Sequence, residues 1–241
     1  MTLALWLLIY LGITYAVGRL YEVSLGWGKT RMIFYPAMLV AAGGRLLACL
    51  LGQQKPGQVD LLRTGGPSAG GSDRLPGGWW FRFLYALLPL AASLAAFVIA
   101  WDLLDQPLDI GRTLPRMELD ARAVETGAGA AGGQLSGVIA SLGEQRLGDW
   151  RLWAFLYVGF GLIVAPSPSR DDLISVGIFS VALGALVLAL TKAGVEVVAS
   201  GVYRGVFWEG FSLLLGMALL VLVATFLLLL PVLFLRRSKD D

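Results

Sequence analysis

Long apolar stretches alternate with short polar segments along the chain, and this alternation predicts membrane-spanning helices. Six stretches stand out, at residues 3–17, 33–52, 79–104, 150–165, 173–191 and 211–235. A helix needs about 20 apolar residues to cross the hydrocarbon core of a bilayer, and most of these stretches approach or exceed that length. The pattern therefore predicts an all-α, polytopic membrane helix bundle with about six transmembrane helices. A count of five stays open, because residues 195–206 read either as an interfacial turn or as a continuation of the fifth helix.

The segments between the stretches are too small to form separate domains, so we expect one transmembrane domain over residues 1–241. Residues 53–78 are rich in glycine, proline and serine, which predicts a flexible loop. Residues 105–149 form an acidic extramembrane loop. Within it, a glycine-rich run at 127–133 interrupts the chain, and residues 135–147 could form a short amphipathic helix on the membrane surface.

The amino-acid composition limits the partners, metals and cofactors that the chain can be expected to bind. Hydrophobic residues make up 57% of the chain and the net charge is only +2, so the bilayer is the expected partner and nucleic acid is not. The chain has no histidine and a single cysteine, Cys49. These counts exclude an intrachain disulfide and histidine-ligated haem, and a zinc site would need carboxylates almost alone. We expect no metal and no cofactor.

The charges flanking the spans give a conflicting view of orientation. A basic tail at 236–239 predicts a cytoplasmic C-terminus by the positive-inside rule. Six spans would then place both termini on that side and the acidic loop at 105–149 outside. Arg19, Lys29 and Arg31 would also lie outside, which opposes the rule.

The second apolar stretch, residues 35–52, differs from an ordinary lipid-facing helix because it carries a glycine pair and one arginine, Arg45. Five small residues share one helix face: Ala37, Ala41, Gly44, Ala48 and Gly52. Such a ladder lets two helix backbones approach closely in lipid, so this face is predicted to pack against another helix. A charge inside a span is costly and either pairs or reaches the headgroups. We expect Arg45 to form an ion pair with Asp172 or Asp171.

Three short motifs follow one another in a recognisable order. A Tyr-Pro pair precedes the small-residue helix that ends at Gly52, a later span has a central proline at 83–91, and the span at 153–162 leads into Pro-Ser-x-x-Asp at 168–172. This order resembles the intramembrane zinc metalloproteases of the site-2 protease type, in their small bacterial and archaeal forms. The resemblance implies a multi-pass protein of a bacterial or archaeal cytoplasmic membrane.

The resemblance also implies that the catalytic residues have been lost. The first histidine of the family's His-Glu-x-x-His motif falls on Ala41, the glutamate on Ala42 and the second histidine on Arg45. Alanine can neither bind zinc nor activate a metal-bound water. Asp172 occupies the place of the carboxylate ligand, but one carboxylate does not make a zinc site.

The sequence therefore predicts a non-enzymatic protein, a structural or adaptor subunit built on an inactive site-2-protease-like scaffold. Its expected partner is another integral membrane protein or complex. One alternative is a residual carboxylate-dependent intramembrane hydrolase using Asp171 and Asp172, which would require Asp102 or Glu209 to converge on them. A second alternative is a small transporter, although few ionisable residues lie within the spans.

Overall fold

The computed structural model describes residues 2–55, 61–62, 78–105, 123–144, 148–192 and 208–240. Every regular element in these ranges is an α-helix, which confirms the all-α prediction. The helices are α1 (Thr2–Leu25), α2 (Trp27–Ile33), α3 (Tyr35–Leu51), α4 (Trp79–Leu103), α5 (Ala123–Glu144), α6 (Trp150–Val164), α7 (Arg170–Lys192) and α8 (Trp208–Asp240).

Two of the helices are long and apolar enough to cross a membrane. They are Trp80–Leu103 within α4 and Phe211–Leu229 within α8. The pair α2 and α3 would add a third span if the two count as one, although they meet at an angle of 100°. The described residues thus provide two or three candidate spans, and the six-span bundle stays a prediction.

The breaks on the two sides of α2 follow from two local features of the sequence. Gly26 joins α1 to α2 with φ at 79°, a left-handed conformation that glycine adopts without steric cost. Pro36 lies in the first turn of α3, where its fixed φ fits a helix and its missing N–H is not needed. The chain is therefore interrupted on both sides of the short helix α2.

α4 lies at the centre of the bundle and runs antiparallel to α3. Gly44 of α3 lies beside Pro89 of α4, and Gly52 lies beside Phe81. Residue numbers along the contact therefore increase on α3 and decrease on α4, as in an antiparallel pair. This is the most extensive helix contact in the described part of the chain.

α6 and α7 both pack on α4. α6 packs against the C-terminal half of α4, where the rings of Phe97 and Phe155 lie 5.2 Å apart. α7 also contacts α4, yet the described residues of α6 and α7 do not pack side by side. The two helices therefore follow one another along α4. The segment that joins them, residues 165–169, is buried.

α1 and α8 lie side by side and run in the same direction. Near the start of both helices, the rings of Tyr10 and Phe211 meet edge to face at 6.2 Å. Further along both helices, the side chain of Tyr21 faces Thr225. The core of the bundle fills the space between these helices, α4 and α6. Its largest fully buried side chains include Trp6, Tyr10, Phe97 and Phe155.

α5 corrects the expectation for the acidic loop. The helix begins at Ala123 and ends at Glu144, so the glycine-rich run at 127–133 lies inside it. One face of α5 is buried at Gln134, Val138 and Ser141. This face packs on α8, which shows that tertiary contacts outweigh the poor helix propensity of glycine.

Several predictions fall on residues outside the described ranges. Most of the expected loop at 53–78 does so, since only residues 53–55, 61–62 and 78 are described. Residues 106–122 and 145–147 of the acidic segment, and the ambiguous segment at 195–206, lie outside as well.

Candidate functional site

The small-residue face of α3 lies against α4. Ala41 and Ala48 are fully buried, Ala37 and Gly44 are buried, and Gly52 is half-buried. A Cβ atom placed on Gly44 would lie 2.6 Å from the Cα atom of Pro89 and 2.7 Å from the carbonyl oxygen of Leu88. Since real Cβ atoms do not approach backbone so closely, only glycine fits here. The backbones of α3 and α4 are in direct contact at this point.

The positions that would carry the metalloprotease residues lie on or beside this packed face. Ala41 is fully buried and Ala42 is half-buried. Their methyl groups add packing but no donor, acceptor or titratable group. Cys49, also on α3, is buried as a free thiol. At Ala41 and Ala42 the side chains can therefore stabilise helix contact but cannot transfer a proton or bind a metal.

Arg45 is the one charged residue of α3, and its side chain is buried inside the protein. Its side chain is 3% exposed. Its Nη1 atom donates a hydrogen bond of 2.8 Å to the carbonyl oxygen of Leu61, and its Cζ atom lies 6.0 Å from the ring centre of Tyr85. Arg45 thus connects α3 with α4 and with the segment at 61–62. Its ion pair with Asp171 or Asp172 stays a prediction.

Asp172 has a local structural role at the start of α7. One of its carboxylate oxygens accepts a hydrogen bond of 2.9 Å from the backbone N–H of Ser169. In return, the hydroxyl of Ser169 accepts a hydrogen bond of 3.2 Å from the backbone N–H of Asp172. This reciprocal pair is a capping box, which satisfies two N–H groups that the first turn of a helix leaves without partners. The Pro-Ser-x-x-Asp motif therefore contains a helix-start signal that the sequence interpretation did not use.

The buried segment between α6 and α7 is held by α1. The hydroxyl of Ser167 donates a hydrogen bond of 3.1 Å to the backbone carbonyl of Thr14, near the middle of α1. The hydroxyl of Thr14 in turn donates to the carbonyl of Leu11 at 3.0 Å. The backbone of the segment is satisfied locally, because the N–H groups of Ala165 and Ser167 donate to the carbonyls of Gly161 and Val164. The side chain of Ser167 then ties the segment to α1. No pattern in the sequence marks Thr14 for this contact.

The carboxylates of the hydrolase alternative lie at separate ends of α6. At one end, Asp105 pairs with Arg151, and the exposed residue Asp102 is close by in sequence. Asp172 follows the other end of α6, a helix of 15 residues or about 22 Å. Asp171 precedes Asp172 in α7 and is half-buried, whereas Glu209 belongs to α8 and its side chain is outside the described set. The structure does not bring Asp102 and Asp172 together.

The capping box leads to a stability prediction. Replacing Asp172 or Ser169 with alanine should lower the free energy of unfolding by about 1–2 kcal/mol, because a buried helix start loses an acceptor. Asp171→Ala is the matched control, since this neighbouring carboxylate is not part of the box, and it should change stability by less than about 0.5 kcal/mol. Thermal unfolding in detergent measures all three. Additive losses in the double variant Ser169→Ala/Asp172→Ala would contradict a reciprocal pair.

Comparison of the chain with protein family models, with curated proteins and with solved structures found no similar protein. The resemblance to site-2 proteases therefore depends on the short sequence motifs alone and stays a prediction. What the chain does has to be inferred from its own residues and contacts.

Proposed function

We propose that the protein is a non-catalytic membrane subunit that holds another integral membrane protein, with the α3–α4 pair as its rigid centre. One observation carries the proposal. At Gly44, the backbone of Leu88 and Pro89 lies directly on the face of α3 where a site-2-protease-like enzyme would hold its metal. A catalytic face has to admit substrate and water, whereas this face is filled by a neighbouring helix.

The side chains of α3 support the same view. The inner face carries methyl groups and glycines, which allow close helix packing in lipid. Arg45 uses its guanidinium to bind Leu61 and to approach Tyr85, so its charge stabilises the scaffold itself. These contacts favour a helix pair that keeps a fixed shape rather than one that opens for a reaction.

The outer face of α3 is a suitable docking surface for a partner helix. Leu39, Leu46 and Leu50 are 50%, 39% and 63% exposed and follow helical spacing. Gly43 lies between them, is exposed and has no atom within 4 Å of the place where its Cβ would be. A stripe of leucines with a gap at Gly43 offers a partner side chain a place to insert, as packing between transmembrane helices requires.

Co-purification tests the proposal. The tagged full chain, extracted from its native membrane in mild detergent, should retain one integral membrane protein in fixed ratio. The triple variant Leu39→Ala/Leu46→Ala/Leu50→Ala should reduce this retention by about tenfold, because the docking face loses its largest side chains. The matched control is Ile174→Ala/Ile178→Ala/Val181→Ala, which removes three similarly exposed side chains from α7 and should leave retention unchanged.

Two results would contradict the proposal. Stoichiometric zinc in the purified full chain, together with cleavage of a transmembrane peptide, would identify an enzyme. Equal retention by the α3 and α7 triple variants would show that the outer face of α3 does not hold the partner.

A further inference from the structure

A small apolar cavity lies at the corner between α2 and α3. It has a volume of about 100 Å³ and is lined by Phe34, Pro36, Ala37, Val40, Ala96, Tyr157, Val158, Gly161 and Leu162. These residues come from the beginning of α3 and from the facing sides of α4 and α6. Pro36 and Tyr157 are exposed, so the cavity opens between them onto the outer surface of the bundle.

Among the side chains that line the cavity, only Tyr157 has a polar group, and its hydroxyl is already hydrogen-bonded. The hydroxyl of Tyr157 donates a hydrogen bond of 2.7 Å to the backbone carbonyl of Ile33, the last residue of α2. The rest of the lining is almost entirely apolar. A cavity of this kind excludes ions and favours a hydrocarbon occupant.

The volume of the cavity limits the size of the hydrocarbon group that it can hold. An apolar cavity of roughly 150 Å³ can bind a molecule as small as benzene. The volume of about 100 Å³ at this corner therefore admits a few methylene groups but not a helix. One acyl chain of a membrane lipid meets this limit.

α2 supplies the charge that such a lipid would need. It meets α3 at 100°, so if α3 crosses the bilayer, α2 lies close to the membrane plane. Lys29 is exposed and Arg31 is half-buried, and they precede Phe34 of the cavity by five and three residues. Those separations correspond to about 8 Å and 5 Å along the helix, which is within the reach of a lysine or arginine side chain. Residues two apart lie on different sides of a helix, so one of the two cations can face a phosphate at the cavity mouth while the other adds to the local positive charge.

We propose that this corner is a binding site for one anionic phospholipid. A segment of one acyl chain fills the cavity between Val40, Ala96 and Val158, and the headgroup phosphate binds Lys29 or Arg31. Basic residues at a membrane surface attract anionic lipids, and a chain buried in the cavity fixes the position of the bound molecule. This site is independent of the proposed adaptor function.

Photochemical labelling tests the site. The full chain is reconstituted in nanodiscs that contain phosphatidylglycerol with a diazirine on one acyl chain, illuminated, and digested for peptide mass spectrometry. Label should concentrate on peptides that contain residues 34–40 and 157–162. The same experiment with the diazirine on phosphatidylcholine should give about tenfold less label at these positions, because that lipid has no net negative charge.

Two pairs of variants separate the acyl chain from the headgroup. Val158→Phe and Ala96→Leu should each abolish labelling by filling the cavity, whereas Val181→Phe on the exposed side of α7 should not. Lys29→Gln/Arg31→Gln should remove the preference for phosphatidylglycerol, whereas Lys55→Gln/Arg170→Gln should preserve it.

Thermal unfolding and gel filtration verify that each variant is folded. Labelling that persists in both cavity-filling variants, label that is spread evenly over the lipid-facing helices, or equal labelling by the two lipids would each overturn the proposal. Displacement of the label by a co-purified protein partner would assign the cavity to protein and would overturn it as well.

Discussion

A leucine in place of Gly44 is expected to prevent α3 from docking on α4 and to abolish the folded, monodisperse protein. Even a single methyl group should be harmful, because the Cβ atom of Gly44→Ala would lie 2.6 Å from the Cα atom of Pro89. Backbone cannot rotate away as a side chain can, so the helices must separate. Overpacking of this kind costs about 1–3 kcal/mol. The alanine variant should therefore unfold at a temperature lower by about 3–10 °C in detergent.

The neighbouring glycine gives a matched control for Gly44. Gly43 is exposed and its Cβ would meet no atom within 4 Å. Gly43→Ala should leave the unfolding temperature unchanged or raise it slightly, since alanine favours a helix by roughly 0.5–1 kcal/mol over glycine. Equal destabilisation by the two alanine variants would contradict direct backbone contact at Gly44, and with it the observation on which the proposed function depends.

Phe97→Ala is expected to cause a large loss of stability. Phe97 is fully buried, its ring lies 5.2 Å from that of Phe155, and it also borders Gly159 of α6. Truncating a buried phenylalanine costs about 3–5 kcal/mol, because the removed contacts leave a cavity. The unfolding temperature in detergent should fall by about 10 °C or more.

A phenylalanine at the surface of the bundle provides the comparison. Phe226 on α8 is 53% exposed, so Phe226→Ala should change stability by less than about 1 kcal/mol. A double-mutant cycle of Phe97→Ala with Phe155→Ala should yield a coupling energy of about 0.5–1.5 kcal/mol for the two rings. A coupling energy of zero would argue against this contact between α4 and α6.

The sequence predicts local features of this protein well. Long apolar stretches predict the positions of α1, α3, α4, α6, α7 and α8, and the spacing of small residues predicts the face of α3 that lies on α4. These signals are local, because a helix repeats its contacts every three or four residues. The Ser-x-x-Asp signal at the start of α7 is equally local, although the same residues also fit the carboxylate motif of the site-2 protease type.

Other features depend on contacts between distant parts of the chain. In the end-to-end arrangement of α6 and α7, the backbone carbonyl of Thr14 accepts a hydrogen bond from the hydroxyl of Ser167. No sequence pattern in either segment predicts this contact. Arg45 binds the carbonyl of Leu61, a backbone group that every residue possesses and that no sequence pattern can single out. The length of α5 is set by packing on α8, which overrides its glycines.

The parallel direction of α1 and α8 bears on which side of a membrane each end of the chain lies. If each of these helices crosses the bilayer, the start of α1 and the end of α8 emerge on opposite faces, and the number of crossings between them is odd. An even number, as six separate spans would give, is incompatible with that arrangement. Segments attached ahead of α1 and behind the basic tail would then lie on opposite sides of that membrane.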